Sequence, residues 1–409
     1  MKKHVVVIGY VWVSPKASAA GSRMLQLIAF FLRNEYTVTF ATPAQKNKEA
    51  FDLQSLGVKE ASIELNHESF DDFIKREAPT VVLFDRYMME EQFGWRVAEA
   101  CPEALRILDT EDLHCLRLAR QQAVKKGSPF AVESLLESDM AKRELAAIYR
   151  SDVSLIISSY EMTLLTSLFK VPKSLLYHLP FMYPKMPENT GNSDFESRKN
   201  FVFVGNFLHA PNVDAVLQLR SLWKLIRKQL PEAELHIYGA YPTQQIQECH
   251  KPTMGLFVKG YVEDAEIPVK EARVVLAPIR FGAGIKGKLT EAMRMLTPSV
   301  TTKIGAEGMH DGLPWNGVVV DSELDFVTAA VDLYRNREAW EQAREHGIQL
   351  INKHYEQELL SARLLAQIEQ RLDNLSQDRR ANFIGSMLQY KTLQATKYMS
   401  KWITEKNRN

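Results

Sequence analysis

The sequence predicts an α/β protein made of two tandem, Rossmann-like doubly wound domains that face each other across a cleft, followed by a basic helical tail. Three observations lead there. Short β-branched runs alternate with helix-period segments through the first half of the chain. A stretch rich in Pro, Asn and Ser interrupts them near residue 180, and a second alternating series then begins.

In the first series the strands are Val5 to Ile8, Thr37 to Phe40, Val81 to Phe84, Leu105 to Leu108 and Val153 to Ile157. Most of these lack strict polar alternation, so they read as strands covered on both faces. Between the first two, Met24, Leu25, Leu27, Ile28, Phe31 and Leu32 recur at helical spacing. Strand followed by helix, repeated, means a parallel sheet with right-handed crossovers. Pro180, Pro184, Pro187 and Gly191 mark the interruption, which divides the chain into a first domain over 1–182, a linker over 183–199 and a second domain over 200–372. The second series holds strands Phe201 to Val204, Leu235 to Tyr238, Phe257 to Lys259, Val274 to Ala277, Ser299 to Thr302 and Val318 to Val320. Its helices are Val213 to Leu230 and Lys288 to Met295.

Composition narrows the function classes. At about 150 residues per domain, 409 residues make two to three domains. Apolar residues at 45% and charged residues at 25% are ordinary globular values. The net charge of +1 supplies no global field for nucleic acid or an anionic bilayer, so either partner would need a local patch, and no RNA-module motif is present. Cys101, Cys115 and Cys249 form no CxxC pair, which points to a reducing cytoplasm. The run Val5 to Ile8 is too short for a signal-peptide core, and no stretch approaches the length of a membrane span.

The tail over 373–409 supplies the one concentrated charge. From Arg379 onward stand Arg379, Arg380, Lys391, Lys397, Lys401, Lys406 and Arg408 against Glu405 alone, interleaved with Phe383, Met387, Leu388, Tyr398 and Trp402. This reads either as a terminal helix packed on the body with a solvated basic face, or as a peripheral contact with the inner face of a membrane.

In a doubly wound sheet, ligands bind beyond the carboxyl ends of the strands. The most informative such loop follows Val274 to Ala277 and contains Arg280, Gly282, Gly284, Lys286, Gly287 and Lys288 before running into a helix. Glycines let the backbone approach a ligand closely, and the free amides and positive dipole end of the helix favour an anion. With Arg280, Lys286 and Lys288 added, a diphosphate is the natural guest. Glu291 lies one turn beyond Lys288, where its carboxylate can accept from vicinal ribose hydroxyls. The loop is not GxxxxGK[ST], and Gly9-Tyr10-Val11-Trp12 after the first strand is not GxGxxG, which removes the main support for a nicotinamide or flavin enzyme.

Four pieces in order, Phe203-Val204-Gly205-Asn206, Leu235-His236-Ile237-Tyr238-Gly239, Lys259-Gly260-Tyr261-Val262-Glu263-Asp264 and the run from Gly282 to Gly308, resemble the retaining sugar-nucleotide glycosyltransferases of the GT-B fold, the group often called glycosyl transferases group one. The resemblance implies that Lys288 meets the donor diphosphate, that Glu291 is the second glutamate of the paired-glutamate motif and holds the ribose, and that backbone near Gly260, Tyr261 and Val262 meets the base. It also implies that Gly21 sits against the phosphates or the transferred sugar. Ala283 stands where the family has its first glutamate, and Asn206-Phe207-Leu208-His209 lacks the usual arginine, for which Arg280 is the substitute.

From the first domain, Asp109, Glu111, Asp112 and His114 cluster after Leu105 to Leu108, and Glu111, Asp112 and His114 are the catalytic candidates. Asp112 as a helix cap is the structural alternative. Glu307 is read as stabilising its own turn, and His209 and His236 as ordinary histidines. The whole describes a cytoplasmic glycosyltransferase that moves a sugar from a nucleoside diphosphate donor to a hydroxyl of a glycan or glycolipid, with no cofactor beyond the donor. No Asp-x-Asp triplet lies in a suitable loop, so metal independence is expected. A non-hydrolysing sugar-nucleotide epimerase and a non-catalytic sugar-nucleotide or glycan binder are the competing readings.

Overall fold

The computed structural model describes residues 3–46, 48–188 and 194–390, together with 399, 402, 403 and 406. Among these residues the strands form two sheets. The first orders β1 (His4–Ile8), β2 (Thr37–Thr42), β3 (Lys59–Ser62), β4 (Val81–Asp85), β5 (Leu105–Asp109), β6 (Val153–Ile156) and β7 (Leu176–His178) as 3-2-1-4-5-6-7. The second orders β8 (Lys199–Val204), β9 (Leu235–Tyr238), β10 (Leu256–Gly260), β11 (Ala272–Ala277), β12 (Ser299–Thr301) and β13 (Gly317–Val319) as 10-9-8-11-12-13.

Every ladder in both sheets is parallel. The carboxyl ends of all strands in a sheet therefore share one edge, and the strand order reverses beside β1 and beside β8. The central strands β1, β4, β5 and β6 are buried at every residue, which is why their sequences are mainly apolar without alternation, the buried charges of β5 being paired, Arg106 with Asp152 and Asp109 with Arg23. Two strands leave no such trace. β3, Lys-Glu-Ala-Ser, and the three-residue β7 lie on the sheet edges, where one flank meets solvent and the sequence stays polar or short.

The chain crosses between the sheets twice, and the two crossings are bonded to each other. Tyr183 N donates to Tyr355 O at 2.7 Å, and Gln357 N donates to Tyr183 O at 2.8 Å. The return leg corrects the division drawn at 372/373. Gln357–Ala381 is one continuous helix, and its Leu364, Ile368 and Leu375 are buried in the core beneath β1, β4 and β5, so this part of the chain belongs to the first domain. Arg379 is not a solvated tail residue either: it chelates the buried Asp152 at 2.7 and 2.8 Å and donates to Ala104 O. Tail residues Lys391, Lys397, Tyr398, Lys401, Glu405 and Arg408 lie outside the described residues. Among the described residues, no helix is long and apolar enough to cross a membrane.

Because Leu364 fills the first domain's core from a helix that follows the second domain, Leu364→Ala is predicted to cost about 2–5 kcal/mol. The loss should read as a lower urea midpoint for the transition that unfolds the first sheet; an unchanged midpoint would show that the helix does not hold that core.

Candidate active site

The carboxyl edges of both sheets line one cleft of about 1210 Å³. From the second domain, β11 ends in a buried strand and the chain turns through Ile279 to Lys286 into the helix Gly287–Arg294. Lys286 occupies the N-cap, and no side chain caps the helix, so its first amides remain available at the cleft wall. Lys288, in the first turn, donates to Asn212 Oδ1 and stands 4.2 Å from the centroid of the Phe203 ring. Burial holds its ammonium down to about 7. Lys286 donates to Gly284 O at 3.0 Å, and burial lowers it to about 8, with Glu307 pulling the other way. Glu291 is pushed up to about 7 by burial and by the nearby Glu266 and Asp264. Tyr261 and Val262 follow β10 on the same wall, with Glu263 beside them pairing across the mouth with Lys16 at 2.9 Å.

The glycine loop is gripped from the other domain. Glu161 Oε1, fully buried, accepts from Gly284 N at 2.8 Å and from Leu113 N at 2.9 Å, tying the loop of the second domain to the acidic loop of the first. Arg120 donates to Gly282 O at 3.0 Å and holds Glu307 through two bonds of 2.7 Å. Glu307 thus anchors the domain interface, where the sequence suggested only a local turn. Gly284 has φ 61°, and a Cβ there would stand 2.9 Å from Asp112 Cβ, so only glycine lets the two loops meet this closely. Ala283 packs against the first domain's apolar core.

The acidic loop separates by role. Asp109 is buried in a bidentate pair with Arg23 at 2.8–3.1 Å and is structural. Glu111 lines the cleft with φ 61°, a backbone region that costs a non-glycine residue energy and gathers at functional sites. Its carboxyl is pushed up to about 8 by burial and then by Asp109. Asp112 lies 3.3 Å from His114 Nε2 and 3.5 Å from Arg117 Nη1. Burial depresses the His114 imidazole to about 4. Asp112 does not cap the following helix; Glu144 accepts from His114 N and Cys115 N at 2.7 and 2.8 Å.

Two expected ligands lie elsewhere. Arg280 does not face the cleft: it pairs with Asp214 on the outer face, along a separate groove of about 460 Å³. Gly21 is a packing residue, since a Cβ there would fall 2.3 Å from Ser14 O. In its place, Ala17 to Ala20 and Ser22 present the start of the helix Ala19–Arg33 to the cleft.

Other residues enter that no motif announced. Arg86, at φ 71° just after β4, lies 5.1 Å from the Tyr10 ring and faces Asp85, Glu111 and Asp112. His209 comes from the second domain to meet Arg117, Asp112 and Arg86, and burial lowers its pKa. Only a left-handed residue directly after a buried strand would have marked Arg86, and backbone angles are not legible in a side-chain pattern.

Residues 198–336 match the family model described as Glycosyl transferases group 1. No curated protein matches the chain by sequence. Among solved structures, the chain is similar to S. aureus TarM in complex with fondaparinux, α-GlcNAc-glycerol and UDP, with a TM-score of 0.67 and 10% identity over 90% of this chain and 99% of that one. Sucrose-phosphate synthase from Thermosynechococcus elongatus gives 0.65 and 13%, covering 91% and 100%. Anabaena HepE in complex with UDP gives 0.62 and 10%, covering 90% and 100%. The fold is GT-B. The match to glycosyl transferases group 1 lies on its second domain, and together with the fold it supports a glycosyltransferase.

The bridge at Glu161 can be tested by separating charge from geometry. Its carboxyl is held up to about 8 by burial, so it is largely neutral at pH 7, and glutamine keeps an acceptor oxygen in its place. Glu161→Ala leaves two buried amides without an acceptor and is predicted to cost about 2–4 kcal/mol, against less than about 1 kcal/mol for Glu161→Gln, in thermal unfolding. Equal losses would show that the charge does the holding.

Proposed function

We propose that the chain transfers a sugar from a nucleoside diphosphate donor to a hydroxyl of a glycan or glycolipid acceptor, with retention of anomeric configuration and without a metal ion. The observation that carries this reading is the uncapped start of the helix Gly287–Arg294 with Lys288 on its first turn, set in a cleft whose opposite wall is the first domain. As the bond between the sugar and the diphosphate breaks, charge grows on the leaving phosphate and must meet preorganised donors. The helix amides, Lys288 and Lys286 supply them, which is the support for a metal-independent step. The new bond forms between the sugar and the acceptor oxygen, and the acceptor's proton leaves with the diphosphate or into solvent.

Glu291 receives the ribose and Tyr261 and Val262 the base. Across the cleft, Glu111, Asp112 and His114 bind sugar or acceptor hydroxyls. A carboxyl held at about 8 and an imidazole held at about 4 are both uncharged at neutral pH, so Glu111 can donate a hydrogen bond and His114 can both donate and accept. Two of the solved neighbours are complexes with UDP, which makes uridine diphosphate sugars the first donors to try.

A bound donor stabilises the fold by about 2.7 kcal/mol at a hundredfold excess over Kd. A thermal-shift screen of UDP-, GDP-, ADP- and TDP-sugars should give a shift with at least one, abolished by Lys288→Ala. A shift that survives Lys288→Ala together with Glu291→Ala would overturn the pocket. Incubation of that donor without acceptor distinguishes the epimerase, which would yield an altered sugar nucleotide and release no nucleotide.

Protonation gives a second test. An anion favours the charged form of Lys288, so binding raises a pKa that stands at about 7 in the free protein. UDP binding at a pH of about 8 should therefore take up protons, seen as a calorimetric enthalpy that varies with buffer ionisation enthalpy. The dependence should shrink in Lys288→Met and disappear when Lys286, which stands at about 8, is also replaced by Met; a dependence that persists in the double variant would assign the proton to another group.

A further inference from the structure

The helix Phe383–Gln389 is laid on the first domain with its polarity reversed. A surface helix normally turns its apolar stripe inward. Here the inner side is Gly385, where a Cβ would fall 2.2 Å from Tyr149 O, together with Asn382, whose Nδ2 donates to Tyr149 O at 2.7 Å, and Gln389, whose Nε2 donates to Arg150 O at 3.2 Å. The outer side is Phe383, Ile384, Met387 and Leu388, at i, i+1, i+4 and i+5, with Phe383 72% and Met387 58% exposed. Tyr390 continues the stripe at 75% exposure. Further on, Met399, Trp402 and Ile403 are again exposed, at i, i+3 and i+4.

Charge identifies the partner. With Arg379 neutralised by Asp152, the segment from Arg380 to Asn409 carries six Lys and Arg against one Glu, +5 within a chain of net +1, which leaves −4 for everything else. An apolar stripe inside a basic segment is complementary to anionic headgroups over hydrocarbon. A second copy of the same stripe would bring like charges together.

We propose that this C-terminal segment docks the protein on an anionic lipid bilayer. Its position suits the work of the cleft. The helix Asp139–Arg150 begins beside Met140, in the cleft wall, and ends at Tyr149 under the docking helix. The two points are nine helical steps apart, about 14 Å. A bilayer on this face would hold a lipid-linked acceptor near the acceptor domain, a corollary that rests on the transfer reading, whereas the docking itself does not.

The test is co-sedimentation of the full chain with vesicles of phosphatidylcholine alone or with about 30% phosphatidylglycerol. Binding is expected to the anionic vesicles only, to be lost in about 0.5 M salt, and to weaken about tenfold or more in F383S/M387S. Both substituted residues are exposed, so the variant should keep its unfolding temperature and its donor-induced thermal shift. No binding to anionic vesicles, or equal binding by the variant, overturns the proposal. A concentration-dependent dimer abolished by the same substitutions also overturns it, in favour of a second copy as the occupant. Loss of the donor shift in the unsubstituted chain would count against the transfer reading alone.

Discussion

The buried contact between Glu161 and the Gly284 amide is the constraint on which the site depends. It places a first-domain carboxyl against the glycine loop of the second domain while the same oxygen holds Leu113 N at the start of the acidic loop. One atom therefore ties the two walls together. Arg120 does the same on the other side, joining Gly282 O to Glu307. In a cleft between domains the catalytic geometry is set by closure, and here closure is written into side chains that reach across.

That arrangement also accounts for Ala283. The glycine loop carries no carboxylate of its own at this position, where the resembling enzymes have their first glutamate. The small methyl lets the loop press onto the first domain's core, and Glu161 supplies a carboxyl to the neighbouring amide from outside. Gly284 completes the fit, because any Cβ would collide with Asp112. The electrostatics follow from the same burial: groups packed between two domains lose water, so carboxyls such as Glu111 and Glu161 rise toward neutrality while Lys286 and Lys288 fall toward it. An incoming diphosphate would reverse the balance for the lysines.

The parallel sheets were legible in sequence because a strand buried on both faces is mostly a continuous apolar run, as Val5 to Ile8 in β1 and Val81 to Phe84 in β4 are. β3 and β7 were not, since an edge strand needs no such run. The glycine loop was legible for a similar reason: glycines and lysines before a helix are a local pattern with a local cause. Arg280 reads as part of that pattern and still lies outside the cleft, because the side of a loop on which a side chain falls depends on backbone angles and on a distant partner, here Asp214. The helix Gln357–Ala381 spans a stretch that reads as the end of the second domain up to 372 and as a tail from 373, but its leucines find their core in the first domain, a choice made by the crossing pair at Tyr183 and Tyr355.

By itself, then, the sequence determined what periodicity and local chemistry determine: two alternating series, a break between them, and an anion-seeking loop before a helix. The tertiary structure decided what requires residues far apart to meet. Glu161 with Gly284, Arg120 with Glu307, and Arg86 with Glu111 each join positions whose neighbourhood exists only once the chain has folded, and burial then sets their protonation. Local spacing carries no record of which distant group will remove the water.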